Sequence, residues 1–153
     1  MTPEILSSIQ AWIDGACEPV NPGGTATYGL VIKINDSTVF SEGKVVGSGK
    51  LMSNNVAEYS GLIAFLEWYG STNYQEIPTI YSDSQLLVKQ MSGEWQVHGG
   101  LYVPYYQQAW QLIRKHQVLP RFHWIPREQN TEADALSKQA LIDAGVKLRI
   151  QRS

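Results

Sequence analysis

Residues 77–91 read IPTIYSDSQLLVKQM, and their order decides the fold class. Thr79 to Ser82 is a short run of β-branched and aromatic residues, as a strand requires, and Ser84 to Met91 has the spacing of a helix. Asp83 stands at the junction. Open α/β sheets place their sites at such strand-to-helix junctions. An earlier run, SIQAWID at 8–14, likewise ends in an aspartate. If the two runs are neighbouring parallel strands, Asp14 and Asp83 stand about one strand spacing apart, roughly 5 Å, and can share a cation.

Working outward, Ser8 to Asp14, Thr27 to Ile34 and Thr38 to Val46 are alternating or β-rich and separated by Gly, Asn, Pro and Ser. They predict three strands in an antiparallel meander. Ser53 or Asn54 can cap a helix to about Tyr69, with Val56, Tyr59, Ile63, Leu66 and Tyr69 on one stripe. Further helices are expected over Pro104–His116 and Thr131–Ala144, with a last strand at Arg121–Ile125. Hairpins make antiparallel pairs and helical crossovers make parallel ones, so the class is α/β with a mixed sheet.

The chain has 153 residues, a net charge of −2 and one cysteine, Cys17. That length suits one domain over 1–153 with its own core. A single cysteine excludes an internal disulfide and fits a reducing compartment. MTPEILSS lacks the features of a signal peptide, and no run approaches a membrane span, so a cytoplasmic protein without membrane contact is expected. The charge balance is unfavourable for a nucleic-acid enzyme, whose affinity rests on Lys and Arg, so any basic footprint has to be local. There is neither a phosphate-binding GKS loop nor a dinucleotide fingerprint.

Four acids stand out: Asp14, Glu58, Asp83 and Asp134. Taken singly, each has an ordinary reading as a turn, cap or first-turn helix carboxylate. Taken together they suggest an all-oxygen site for hard divalent ions, Mg²⁺ before Mn²⁺, rather than zinc. Two such ions can stabilise the attacking and leaving oxygens of a phosphoryl transfer.

The segments DGACEPVNPGG (14–24), MSNNVAEYSGLIAFLEW (52–68), YSDSQLLVKQMSGEW (81–95) and HWIPREQNTEADALS (123–137) resemble type 1 ribonuclease H, the endonuclease that cuts the RNA strand of an RNA–DNA hybrid. The likeness runs from about Ile9 to Leu141. It implies a ribonuclease H-like fold, a five-stranded mixed sheet of order 3-2-1-4-5 flanked by helices. It also implies that Asp14, Glu58, Asp83 and Asp134 are catalytic metal ligands for Mg²⁺ or Mn²⁺, two ions per site with substrate bound. Asp14 would bridge the ions, Asp83 and Asp134 complete their coordination, and Glu58 approach the RNA 2′-hydroxyl. The products would carry 5′-phosphate and 3′-hydroxyl ends. Asn21, Asn54 and Asn55 would touch the minor groove of the hybrid, and Ser53 a DNA phosphate. The same residues also suit a turn (Asn21) and a helix cap (Ser53 or Asn54). A monomer with no obligate protein partner is expected.

Two departures follow. The loop before Asp134, IPREQNTEA, lacks the histidine that many members carry, and Arg127 or Glu128 is the candidate auxiliary residue. Between Met91 and Trp110 there is no Lys or Arg, where some members have a basic protrusion. Trp95, Tyr102, Tyr105 and Tyr106 could stack on bases there, but packing is the commoner role of such aromatics. These departures keep two alternatives open: an inactive hybrid-binding module, and a metal-dependent DNA nuclease of the same fold. Finally, VKLRIQRS (146–153) alternates apolar and polar residues, and this C-terminal tail is expected either to dock one face or to remain loose.

Overall fold

A computed structural model describes residues 7–149. Three strands open the fold: β1 (Ile9–Glu18), β2 (Thr25–Ile34) and β3 (Ser37–Ser48) form the expected antiparallel meander. Then come α1 (Asn54–Gly70), β4 (Thr79–Ser82), α2 (Gln85–Met91), α3 (Val103–His116), β5 (Arg121–Trp124), a 3-10 turn at Arg127–Gln129, and α4 (Thr131–Asp143). Both β1–β4 and β4–β5 are parallel, giving the order β3-β2-β1-β4-β5. Among the described residues no helix is long and apolar enough to cross a membrane.

The period-two alternation of β1 divides its side chains between two layers. Ile9, Ala11 and Ile13 enter the core with Leu30, Ile32 and Ile80, covered by Tyr59, Leu62 and Leu66 of α1. The expected stripe of α1 is buried, but so are Ala57, Leu62 and Phe65 outside it. The cause is position: α1 lies between the sheet and α3, so it needs apolar residues on two sides. Tyr102 stacks on Tyr59 at 5.6 Å and Tyr106 meets the same ring edge-on at 6.0 Å. These aromatics are packing residues; Trp95 alone of the four is 46% exposed.

On the other face α4 covers β1, β2 and β3. Beyond its edge a row of side chains shields the sheet: Lys33 lies over Trp12 at 5.2 Å, Trp12 stacks on Tyr81 at 5.0 Å, and His123 meets Tyr81 edge-on at 5.6 Å. The chain beyond α4 turns at Gly145. Val146 and Leu148 are half-buried while Lys147 and Arg149 are exposed, so the alternation is followed as far as residue 149; the remainder of VKLRIQRS lies outside the described residues.

Candidate active site

Asp14 is not the last residue of its strand. β1 continues to Glu18 against β2, but its pairing with β4 ends at Ile13↔Ser82. Asp14 and Asp83 are therefore the next residues on two parallel chains where those chains separate. Two glycines bring in the helices that carry the other acids. A Cβ on Gly15 would stand 2.6 Å from the Glu58 nitrogen and 2.8 Å from Ala57 Cβ, so only glycine lets the start of α1 seat against β1. Gly29, the cross-strand partner of Asp14, meets the Ala133 carbonyl oxygen of α4 closer than any Cβ allows. Asp134 follows directly in α4.

Carboxylate oxygens of Asp14, Glu58 and Asp83 consequently lie within 4.8 Å of one another. Asp134 lines the same cleft, about 460 Å³ in volume, but its Oδ2 accepts an ion pair from Lys138 Nζ at 2.9 Å, one helical turn on. A larger groove of about 730 Å³ at the far end of the strands has only one carboxylate in its lining, Glu76.

Burial, then Asp83, then Asp134 push the Asp14 carboxyl from an ordinary 3.8 up to about 8, against a lowering hydrogen bond from the Gly15 N–H. Glu58 is raised well above its ordinary value by burial first, then by Asp14 and Asp83. Asp83 is raised by burial although Arg127, with Nε 4.0 Å from its Oδ2, draws it down. Glu58 Oε2 is buried with no hydrogen-bond partner. Like charges gathered at a largely buried site, one with an orphaned oxygen, call for a countercharge, and an all-carboxylate donor set suits a hard divalent cation. The residues fit such an ion.

Among the remaining candidates, Asn21, Asn54, Asn55 and Arg127 line the cleft, whereas Ser53 and Glu128 are not among its lining residues. Ser53 caps α1, its Oγ accepting from the Val56 N–H at 3.1 Å. Asn21 Oδ1 accepts from the Asn54 N–H at 3.0 Å, which ties the loop after β1 to the same helix start. Glu128 is exposed on the 3-10 turn. The N-cap of α2 is Ser84 rather than Asp83, so Asp83 is left free to face the cleft. Cys17 is buried, its Sγ on the Val20 carbonyl at 3.2 Å.

Several residues in or beside the cleft escaped the sequence reading. Asn130 is buried and donates from Nδ2 to the Ile13 carbonyl at 2.9 Å, pinning the start of α4 one residue before Asp14. Trp124 Nε1 donates to the Asp83 carbonyl at 3.2 Å. Lys138, Glu18 and Arg149 also line the cleft. The only sequence signal for Asn130 was its place before a helix; Arg149 carried none, because its partners are 131 and 132 residues away.

A family model described as reverse transcriptase-like matches residues 13–140. A bifunctional protein of Mycobacterium tuberculosis is 40% identical over 123 residues, 79% of this chain and 32% of that protein. The chain thus spans about a third of the length of the first curated relatives it matches. Ribonuclease HI of Halobacterium salinarum is 32% identical over 147 residues, which cover 93% of this chain and 68% of the relative. Among solved structures, LC11 ribonuclease H1 in complex with an RNA/DNA hybrid superposes with a TM-score of 0.80 at 29% identity, covering 90% of this chain and 99% of that one.

Proposed function

Since the chain belongs to the type 1 ribonuclease H family, we propose that it is an endonuclease that hydrolyses the RNA strand of RNA–DNA hybrids, leaving 5′-phosphate and 3′-hydroxyl ends. The observation that carries this reading is the convergence of Asp14, Glu58 and Asp83 within 4.8 Å, with Asp134 in the same cleft. The cofactor is Mg²⁺ or Mn²⁺, held by Asp14, Glu58, Asp83 and Asp134. When bound, such ions supply a nucleophilic water and neutralise charge on the attacking and leaving oxygens.

The protein's own groups divide the remaining work. The rigid β1–β4 pair fixes Asp14 and Asp83, so the ligand oxygens need no reorganisation when the substrate arrives. Asp14 and Glu58 are buried, which limits competition from bulk water for their oxygens. Asn54 and Asn55, on the first turn of α1 beside Glu58, can donate to and accept from a 2′-hydroxyl, the group by which RNA differs from DNA. Asn21 supports them through Asn54, and Ser53 reaches the substrate at most from outside the cleft. Arg127 cannot replace a histidine as a proton carrier, because a guanidinium keeps its charge at any working pH; its role is to offset charge beside Asp83. Glu128, exposed on the 3-10 turn, is a titratable carboxylate and stays the candidate auxiliary proton carrier. The buried, lone Cys17 accords with work in a reducing cytoplasm.

End-labelled hybrid incubated with Mg²⁺ or Mn²⁺ should give internal cuts in the RNA strand only. Binding without cleavage would favour an inactive hybrid-binding module, and cleavage of duplex DNA a DNA nuclease of the same fold. Full activity in EDTA would overturn the metal assignment.

A further inference from the structure

We propose that Arg149 is a backbone-phosphate contact of the hybrid, carried into the cleft by a latch between the C-terminal segment and the end of β1. The inference rests on the reading of the cleft as a nucleic-acid site. After α4 ends at Asp143, the chain turns through Gly145 (φ +77°). The Val146 N–H returns to the Leu141 carbonyl at 3.0 Å. Val146 and Leu148 then face the protein, and Arg149 arrives beside Glu18.

Three hydrogen bonds hold it. The backbone N–H and Nε of Arg149 donate to Glu18 Oε2 at 3.2 and 2.6 Å, and Nη2 donates to the Cys17 carbonyl at 3.0 Å. A guanidinium has about five N–H donors, and among the described residues Nη1 and the second N–H of Nη2 have no partner, which leaves them to an anion. The side chain is 52% exposed although its partner Glu18 is only 19% exposed. The group is thus positioned by the protein but still open to water. An arginine fixed at one edge and open at the other suits a phosphate, which accepts the paired donors bidentately.

Charge makes the same point. Of the cations in the cleft, Arg127 is paired with Asp83 and Lys138 with Asp134, both metal-ligand candidates. Arg149 is paired with Glu18, outside that cluster. It lines the same cleft as Asn21 and Asn54, the residues that the proposed function sets against the hybrid. The segment between Met91 and Trp110 offers no Lys or Arg, so a cation here supplies part of the electrostatic footprint that backbone binding needs.

The test compares Arg149→Ala, Arg149→Lys and Glu18→Gln in the full chain. Hybrid binding is followed by fluorescence anisotropy in EDTA across a salt series, alongside KM, kcat and melting temperature. Arg149→Ala should raise Kd and KM by about three- to tenfold at low salt with kcat unchanged, and flatten the slope of log K against log salt by about 1. Arg149→Lys should keep the salt slope, and Glu18→Gln should keep it too, since the cation stays when the latch is weakened. An unchanged slope in Arg149→Ala would overturn the proposal, as would equal losses in Arg149→Ala and Glu18→Gln, which mark a purely structural latch. Because binding is read in chelator, a wild-type protein that binds hybrid without cutting it would defeat the catalytic reading and leave this one decided on its own slope.

Discussion

Replacing Asp14 with Asn should abolish cleavage and, in the absence of metal, make the protein more stable. Asp14 is 6% exposed, and its carboxyl titrates at about 8 against an ordinary 3.8. An acid whose folded pKa lies above its unfolded one contributes fully below the unfolded value, and that contribution is lost as pH rises through the folded value. The metal-free wild type should therefore lose stability between about pH 4 and pH 8. The difference amounts to on the order of 5 kcal/mol at most, and sharing of the proton with Glu58 and Asp83 reduces it to a few kcal/mol. Asparagine keeps the shape and carries no charge. At roughly 2–4 °C per kcal/mol for a chain of this size, Asp14→Asn should melt on the order of 5–10 °C higher than wild type at pH 8 in EDTA, and close to it at pH 4. Millimolar Mg²⁺ should raise the wild type by ligand linkage and move the variant much less. The same substitution removes several kcal/mol of transition-state stabilisation, a loss of about 10³-fold in turnover or more. Scanning calorimetry across pH, with a matched cleavage assay, checks both. A variant less stable than wild type at pH 8 in EDTA, or one with near-wild-type turnover, would refute the reasoning.

Gly29→Ala should displace α4 through the Ala133 carbonyl and cost about 1–3 kcal/mol, seen as a lower melting temperature together with weaker metal binding; unchanged values would show that α4 can yield. Asn130→Ala leaves the Ile13 carbonyl unpaired in a buried setting and should cost about 1–3 kcal/mol, with a fall in kcat larger than any change in KM. Asp134→Asn should retain more activity than Asp14→Asn, because Asp134 already faces Lys138 and a neutral oxygen can still hold a metal-bound water; single-turnover rates of the two variants rank them. Deleting 146–153 should lower the melting temperature by a few degrees, since Val146 and Leu148 are half-buried and each contributes at most about 1.5 kcal/mol before ordering costs; no change would mean that their contacts are incidental.

The sequence by itself determined most of the elements, and it singled out the four acids as candidates. Strong local signals account for this: β-branched alternation in β1, β2 and β4, a Ser53 cap before α1, and helical spacing after Asp83. Thr79–Ser82 is β4 as read, and the limits of α1 to α4 moved by a residue or so. Strand ends moved further, β1 reaching Glu18 rather than Asp14, because a strand ends where its pairing partner does and the partner Thr25 is not visible in the local pattern. The sheet order came from resemblance to a family and not from periodicity, which does not encode neighbours. Only the tertiary structure decided what depends on proximity across the chain. It placed Gly15 and Gly29 under the two acid-bearing helices, brought Asp134 into the cleft of the tight trio, set Asn130 on the Ile13 carbonyl, and joined Arg149 to Glu18. Each of those contacts depends on a close approach between elements far apart in sequence, which residue type and local spacing do not encode.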